Sequence, residues 1–208
     1  GQRSAFHLVL LCKNEVGYRN LLYLVSKAFT DGFYSKPRID MELLSQHTEG
    51  LIGLSACLAG QIPQQLLLGD FDGAVQCAKR YAALFAPGDF YIEIQDHGLA
   101  EQRQILPALV RLAKACDLPL VATNDCHYLE EKDADAQEVL MCIQTGKTLD
   151  DENRMKMDTR QLYVKSEDEM RALFRMCPEA IDNTQLIVDR CNVEFEFGVT
   201  RLPAYPVE

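Results

Sequence analysis

The segment FYIEIQDHGLAEQRQILPALVRLAKACDLPLVATNDCHY, residues 90–128, carries the clearest fold signal in the chain. It opens with a short apolar run at Phe90–Gln95, continues through a helical stretch at Glu101–Cys116, and returns to a second apolar run at Pro119–Thr123. A parallel pair of strands needs a crossover of a dozen or more residues, usually a helix. The segment therefore predicts a strand–helix–strand unit of a parallel sheet.

The same order of elements recurs on both sides of this segment. The further predicted elements are strand Phe6–Cys12 with helix Gly17–Phe29, strand Leu51–Cys57 with helix Asp72–Phe85, and a helix near Ala134–Gln144. Repeated strand–helix units predict a parallel α/β sheet with helices packed outside it, either open or closed into a barrel. Beyond Gly146 the chain becomes charged and irregular. It then predicts two helices, at Ser166–Phe174, where Ser166 and Glu169 have capping-box spacing, and at Pro178–Cys191.

The composition indicates a soluble, cytoplasmic protein with one folding unit. A length of 208 residues suits one domain, and no apolar run approaches the roughly 20 residues that cross a bilayer. Eight cysteines without CxxC pairs favour free thiols in a reducing compartment. The formal net charge of -10 argues against a broad phosphate-binding surface. Any contact with DNA must therefore be local, metal-mediated, or made by other parts of a larger protein.

Three polar side chains fall at the carboxyl ends of predicted strands, where parallel α/β folds place their active sites: Cys57, Asp125 and His127. Side-chain alternation predicts one polar face. It is made of Gly53, Ser55 and Cys57, then Tyr91, Glu93, Gln95 and, if the strand continues, His97, then Val121, Thr123, Asp125 and His127. Asp125 and His127 would lie about 7 Å apart at roughly 3.3 Å of rise per residue, which suits neighbouring ions better than one. Imidazole, carboxylate and thiolate together are typical ligands of zinc and similar metals.

Each candidate also has an ordinary structural explanation. A cysteine such as Cys57 at a strand end is usually a small buried hydrophobe, Asp125 could cap a helix or form a turn, and His127 could be a partly exposed histidine. His7 heads an apolar strand, where a core histidine is common, and a fully parallel sheet would place it opposite the other three. Two further histidines are assigned to the surface or to loops and left out of the site, although the second could reach a pocket mouth: His47 and His97.

Six motifs together carry a family resemblance. They are HLVLLCKN (7–14), GFYSKPRID (32–40), EGLIGLSACLAG (49–60), IEIQDHG (92–98), ATNDCHY (122–128) and TGKTLDD (145–151). In this order, and over nearly the whole chain, they closely resemble the PHP domain of bacterial DNA polymerase III alpha subunits. The resemblance implies a PHP-type distorted (β/α)7 barrel, incomplete at the N-terminus and followed by a C-terminal helical extension. Residues 1–198 would form the PHP domain, and 199–208 would be a linker toward an absent polymerase palm domain.

The resemblance also implies a metal site. The family holds up to three divalent ions, of zinc, manganese or iron, with nine residues around one mouth of the barrel. Carried across by motif, this sequence supplies four metal ligands: His7, Cys57, Asp125 and His127. The other five belong to upstream motifs that the chain does not contain, so the isolated chain is expected to be inactive. None of the four is replaced, which favours an active type of site in the full protein.

By resemblance, the parent protein is a replicative DNA polymerase, and its PHP domain is a metal-dependent phosphoesterase, a 3′–5′ proofreading exonuclease. The implied partners are DNA, a separate proofreading subunit and the sliding clamp, with no membrane. Two alternatives stay open. The domain could be a catalytically silent scaffold that stabilises the polymerase and docks a proofreading subunit, as the acidic charge balance suggests. It could also be a free-standing PHP phosphatase, which the polymerase-type PRID and TGKTLDD segments disfavour.

Overall fold

A four-stranded sheet with the strand order β1-β2-β3-β4 organises the computed structural model, which describes residues 5–200 and 202. The elements are β1 (Val9–Cys12), α1 (Glu15–Thr30), α2 (Met41–Ser45), β2 (Leu51–Leu54), α3 (Gln61–Leu67), α4 (Phe71–Ala82), β3 (Phe90–Ile94), α5 (Ala100–Cys116), β4 (Leu120–Ala122), a 3₁₀ turn (Glu131–Asp133), α6 (Ala134–Thr145), α7 (Glu167–Leu173) and α8 (Glu179–Arg190). The predicted α/β class is confirmed, and the predicted strand–helix–strand unit corresponds to β3, α5 and β4.

The first strand runs against the others. β2, β3 and β4 are mutually parallel, whereas β1 pairs antiparallel with β2, with Val9 opposite Leu54 and Cys12 opposite Leu51. The expectation of a fully parallel sheet was therefore wrong for β1. The connection through α1 and α2 returns the chain to the end of the sheet at which β1 stops, where the Lys13 N–H donates to the Gly50 carbonyl at 2.8 Å. As a result, β1 begins beside the carboxyl ends of the three parallel strands.

The helices α3, α4 and α5 cover one face of the sheet and form the main core. Its strand residues include Leu51, Phe90, Ile92, Ile94, Leu120 and Ala122. Glycine at position 53 also faces the helices, because a Cβ there would lie 2.6 Å from the ring of Phe85. Ile52 and Leu54 therefore lie on the opposite face, with Tyr91 and Val121. The alternation predicted for the third and fourth strands is therefore confirmed. In the second strand it is reversed, because Ile52 and Leu54, and not Gly53, share a face with Tyr91 and Val121.

The two C-terminal helices belong to the same unit as the sheet. The capping box of Ser166 and Glu169 starts α7 as predicted. Helix α8 places Ile187 against the second face of the sheet, and the Asn183 side chain donates to the Leu120 carbonyl of β4 at 2.7 Å. Most of the predicted linker lies outside the described residues. Among residues 5–200 and 202, no helix is long and apolar enough to span a membrane.

Candidate metal-binding pocket

A pocket of about 610 Å³ opens where β1 begins and the parallel strands end. Three of the four predicted ligands line it: His7, Cys57 and Asp125. Its other walls come from Phe6, Leu8, Val9, Leu11, Leu54, Ala56, Glu93, Gln95 and Thr123. A second pocket of about 700 Å³ lies beside α7 and α8, but none of the predicted ligands lines it. The predicted ligands therefore single out the first pocket.

His7 reaches the pocket because β1 is antiparallel. Its backbone N–H donates to the Ala59 carbonyl at 3.1 Å, which fixes the chain just ahead of β1 to the loop that follows β2. The imidazole Nδ1 of His7 lies 3.6 Å from the Sγ atom of Cys57. The strand direction thus brings together two residues that a fully parallel sheet would have separated.

Cys57 enters the pocket through a backbone turn rather than through strand alternation. Ala56 has a left-handed φ of 66°, and the Gly60 N–H donates to the Cys57 carbonyl at 2.8 Å to close the turn. Gly60 is required there, because a Cβ would lie 2.2 Å from the Ser55 carbonyl oxygen. Burial raises the pKa of the Cys57 thiol, and the nearby carboxyl groups of Asp125 and Glu93 raise it further. The site therefore holds a thiol that a bound cation would help to ionise.

Asp125 follows β4 in a left-handed conformation, with φ of 43°. Such a backbone is uncommon for any residue except glycine, and Asp and Asn tolerate it best. Its carboxyl group lines the pocket together with His7 and Cys57. The turn therefore holds an acidic side chain at the carboxyl end of the sheet, where the sequence predicted one.

His127 does not line the pocket and is exposed. Its backbone N–H donates to the Leu162 carbonyl at 2.8 Å, and its Nδ1 lies 2.7 Å from the carbonyl oxygen of Asp125. Because a carbonyl can only accept, Nδ1 is the donor in this hydrogen bond, and Nε2 takes no part in it. The structure thus brings three of the four predicted ligands to one pocket and leaves the fourth beside it with a ring nitrogen available for binding.

Side-chain alternation placed three further pocket-lining residues on the predicted polar face, but sequence reasoning did not name them as site residues: Glu93, Gln95 and Thr123. Glu93 is only 4% exposed, and its Oε1 accepts from the Thr123 hydroxyl and, at 2.9 Å, from Gln95 Nε2. Burial raises the pKa of the Glu93 carboxyl, although these two hydrogen bonds oppose the shift. The sequence does contain an indication that these residues belong to a site, because polar residues recur at every second position of two buried strands.

His97 lies in the loop between β3 and α5, which fits the expected loop position, but it is buried rather than on the surface, with 2% of its surface exposed. The Gln102 side chain accepts from the His97 N–H through Oε1 and donates to the ring Nδ1 through Nε2, each at 2.8 Å. The ring therefore carries its proton on Nε2, which has no hydrogen-bond partner within the described residues. Burial lowers the His97 pKa, which keeps the ring neutral.

The donor types in the pocket fit a divalent metal ion. Imidazole nitrogen, thiol sulfur and carboxylate oxygen are all present, and the second carboxylate oxygen of Glu93 is buried without a partner. Within residues 5–200 and 202, no three His, Cys, Asp or Glu side chains are close enough together to hold an ion as they stand. A complete coordination sphere would therefore require movement of side chains, water, or further ligands.

Comparison with known proteins agrees with the geometry. Residues 1–97 match the PHP domain family, so the chain carries a PHP domain, here as a partial α/β barrel. The chain is also 49% identical over 99% of its length to the DNA polymerase III subunit alpha of Treponema pallidum, covering 18% of that protein. It is 43% identical over 99% of its length to the subunit of Borreliella burgdorferi, covering 18%, and 45% identical over 97% to that of Thermus aquaticus, covering 17%. The chain is thus a PHP-domain segment of the DNA polymerase III alpha type, and it spans less than a fifth of these relatives.

Proposed function

We propose that the chain is part of a replicative DNA polymerase, the alpha subunit of DNA polymerase III, which works in the bacterial cytoplasm. Identity of 41–49% over nearly the whole chain to several subunits with that name supports the proposal. DNA, a proofreading subunit and the sliding clamp would then be partners of the complete protein. The negative net charge of this segment fits such a role, because other parts of the polymerase would hold the nucleic acid.

We further propose that the PHP domain is a metal-dependent phosphoesterase acting as a 3′–5′ exonuclease. The observation that carries this proposal is the convergence of His7, Cys57 and Asp125 on one pocket. These residues would hold divalent ions, with His127 contributing Nε2. When bound, ions of the zinc, manganese or iron class would offset charge on a phosphodiester and lower the pKa of water. The side chains themselves would position the ions, and their carboxyl groups would give the pocket negative charge.

The test is the replacement Asp125→Asn in the complete alpha subunit. It keeps the shape and the left-handed backbone but removes the carboxylate, so metal-dependent trimming of a mismatched primer should fall at least about 100-fold. Asp117→Asn is a matched control, because Asp117 also has a left-handed backbone, with φ of 54°, and ends α5 without lining the pocket. Unchanged trimming by the Asp125 variant, with other nucleases excluded, would refute the assignment.

A second candidate function is a scaffold that stabilises the polymerase and docks a proofreading subunit. The exposed apolar side chains of α6 favour it, because Val139, Leu140 and Ile143 form a surface suited to another protein. Metal analysis separates the two functions. A full-length subunit that copurifies with no metal, and whose primer trimming does not increase when zinc or manganese is added, would favour the scaffold.

A further inference from the structure

Two residues that line the pocket carry buried acceptor oxygens without donors among the residues that the structure describes. Glu93 Oε2 and Gln95 Oε1 are both buried, and neither has a hydrogen-bond partner within residues 5–200 and 202. Their side chains are 4% and 8% exposed, and both line the pocket. Neither residue belongs to the ligand set that the family resemblance implies. Two buried acceptors without partners are costly, since each loses its hydration without replacement.

The hydrogen bonds around Gln95 fix which of its atoms is unpaired. Its Nε2 donates to Glu93 Oε1 at 2.9 Å and to Thr123 Oγ1 at 3.0 Å. A reversed amide would place the Gln95 oxygen against the Glu93 carboxylate, where two acceptors would repel each other. The amide oxygen therefore belongs at the unpaired position, in a side chain whose Nε2 is bonded to the Glu93 carboxyl group.

The charge of the pocket indicates what its floor would bind. Glu93, Asp125 and the thiol of Cys57 all become negative on ionisation, and among residues 5–200 and 202 no Lys or Arg lines the pocket. The imidazole of His7 also lines the pocket, and its Nδ1 lies 3.6 Å from Cys57 Sγ. A cation at the floor would satisfy the unpaired oxygens and stabilise the buried carboxylate together.

We propose that Glu93 and Gln95 form a subsite for a hard divalent cation, Mn²⁺ or Mg²⁺, that keeps part of its water shell. Such ions prefer oxygen ligands and are commonly held by one or two carboxylates plus water. The subsite is distinct from the His7–Cys57 pair, whose nitrogen and sulfur donors select softer ions. This proposal rests on the proposed function only because both concern the same pocket. It assigns hard ions to Glu93 and Gln95, and softer ions to His7 and Cys57.

Two metal probes separate the subsites in the 208-residue chain. Mn²⁺ binding is measured by the electron paramagnetic resonance signal of the free ion, and Co²⁺ binding by the sulfur-to-cobalt charge-transfer band that requires a Cys57 thiolate. Glu93→Gln should raise the Kd for Mn²⁺ by about 10- to 100-fold and leave the cobalt band at saturation unchanged. Cys57→Ser should abolish the cobalt band and leave the Kd for Mn²⁺ within about two-fold. Glu101→Gln, which removes an exposed carboxylate from α5, is the control for lost charge.

The proposal is overturned if Glu93→Gln and Glu101→Gln have the same Kd for Mn²⁺, or if the unaltered chain binds no Mn²⁺ at millimolar concentration. It is also overturned if the Glu93 and Cys57 variants weaken both metals alike, which would indicate one shared site. Circular dichroism checks that each variant folds. If Glu93→Gln does not fold, Gln95→Met decides, because it removes the amide oxygen without removing charge and should weaken Mn²⁺ several-fold. Failure of the exonuclease proposal would appear separately, in primer trimming by the Asp125 variant.

Discussion

The replacement Asp89→Asn should destabilise the protein, because Asp89 is the buried centre of an ion network that ties α8 to the sheet. Asp89 accepts from the ammonium of Lys13 and the guanidinium of Arg190, and it is almost fully buried at the start of β3. Arg190 also donates to the Gly88 carbonyl and the Tyr91 hydroxyl, each at 3.1 Å. Three separate parts of the chain therefore depend on one carboxylate.

The size of the effect follows from the exposure of the partners. Removing one member of a fully buried ion pair costs about 3–5 kcal/mol, because the remaining charge is left without compensation. The side chains of Lys13 and Arg190 are 23% and 35% exposed, so water can partly rehydrate them once the charge of Asp89 is gone. We therefore expect a loss of about 2–4 kcal/mol in the free energy of unfolding.

Urea unfolding at pH 7, followed by circular dichroism, measures this loss. Asp135→Asn is the matched control, because Asp135 is 77% exposed and pairs with Arg160 at 2.6 Å on the surface. That pair should contribute only about 0–1 kcal/mol. A loss below about 1 kcal/mol for the Asp89 variant, or equal losses for both variants, would show that the network does not hold α8 to the sheet.

Two further predictions concern titration and the pocket thiol. Tyr163→Phe removes the hydroxyl that donates to Glu169 at 2.6 Å, so the Glu169 pKa should rise from about 2 toward its ordinary value of 4.5, as measured by NMR titration. Because the folded-state pKa is the lower one, the stabilisation is present above the unfolded pKa and is lost as pH falls from about 4.5 to 2; an unchanged pKa in the variant contradicts this assignment. Zinc should slow alkylation of Cys57 but not of the exposed Cys126, as mass spectrometry of labelled peptides would detect. Equal protection of both thiols, or of neither, would argue against metal binding in the pocket.

Sequence patterns predicted those parts of the fold that local periodicity determines. The strand–helix–strand unit around α5 and the two C-terminal helices are present, since apolar spacing and the Ser166 capping box are local features. The direction of β1 was not predictable in this way. Whether a strand runs parallel or antiparallel to its neighbour depends on the path of the connection, here the long segment from Lys13 to Gly50. The spacing of apolar residues within the strand does not depend on that path, so it cannot predict the direction of the strand.

The candidate site was predictable where side chains follow strand alternation and unpredictable where the backbone departs from it. Thr123 lies on the face that alternation assigns to it, and Asp125 lines the same pocket. Cys57 reaches the same pocket from a strand of opposite parity, because Ala56 takes a left-handed conformation. Motif resemblance pointed to Cys57 without revealing this turn. A single residue with positive φ can therefore reverse a face assignment that holds for the rest of the strand.

The antiparallel direction of β1 is what allows His7 and Cys57 to belong to one site. Pairing of Val9 with Leu54 sets the register, and two residues earlier His7 meets the loop that follows β2. A register slip of one residue would turn every side chain of β1 to the other face and would take the imidazole away from the thiol. In the observed register, the side chains of Val9 and Leu11 pack with Ile52 and Leu54. The packing that stabilises this face of the sheet therefore also positions the nitrogen and sulfur donors of the pocket.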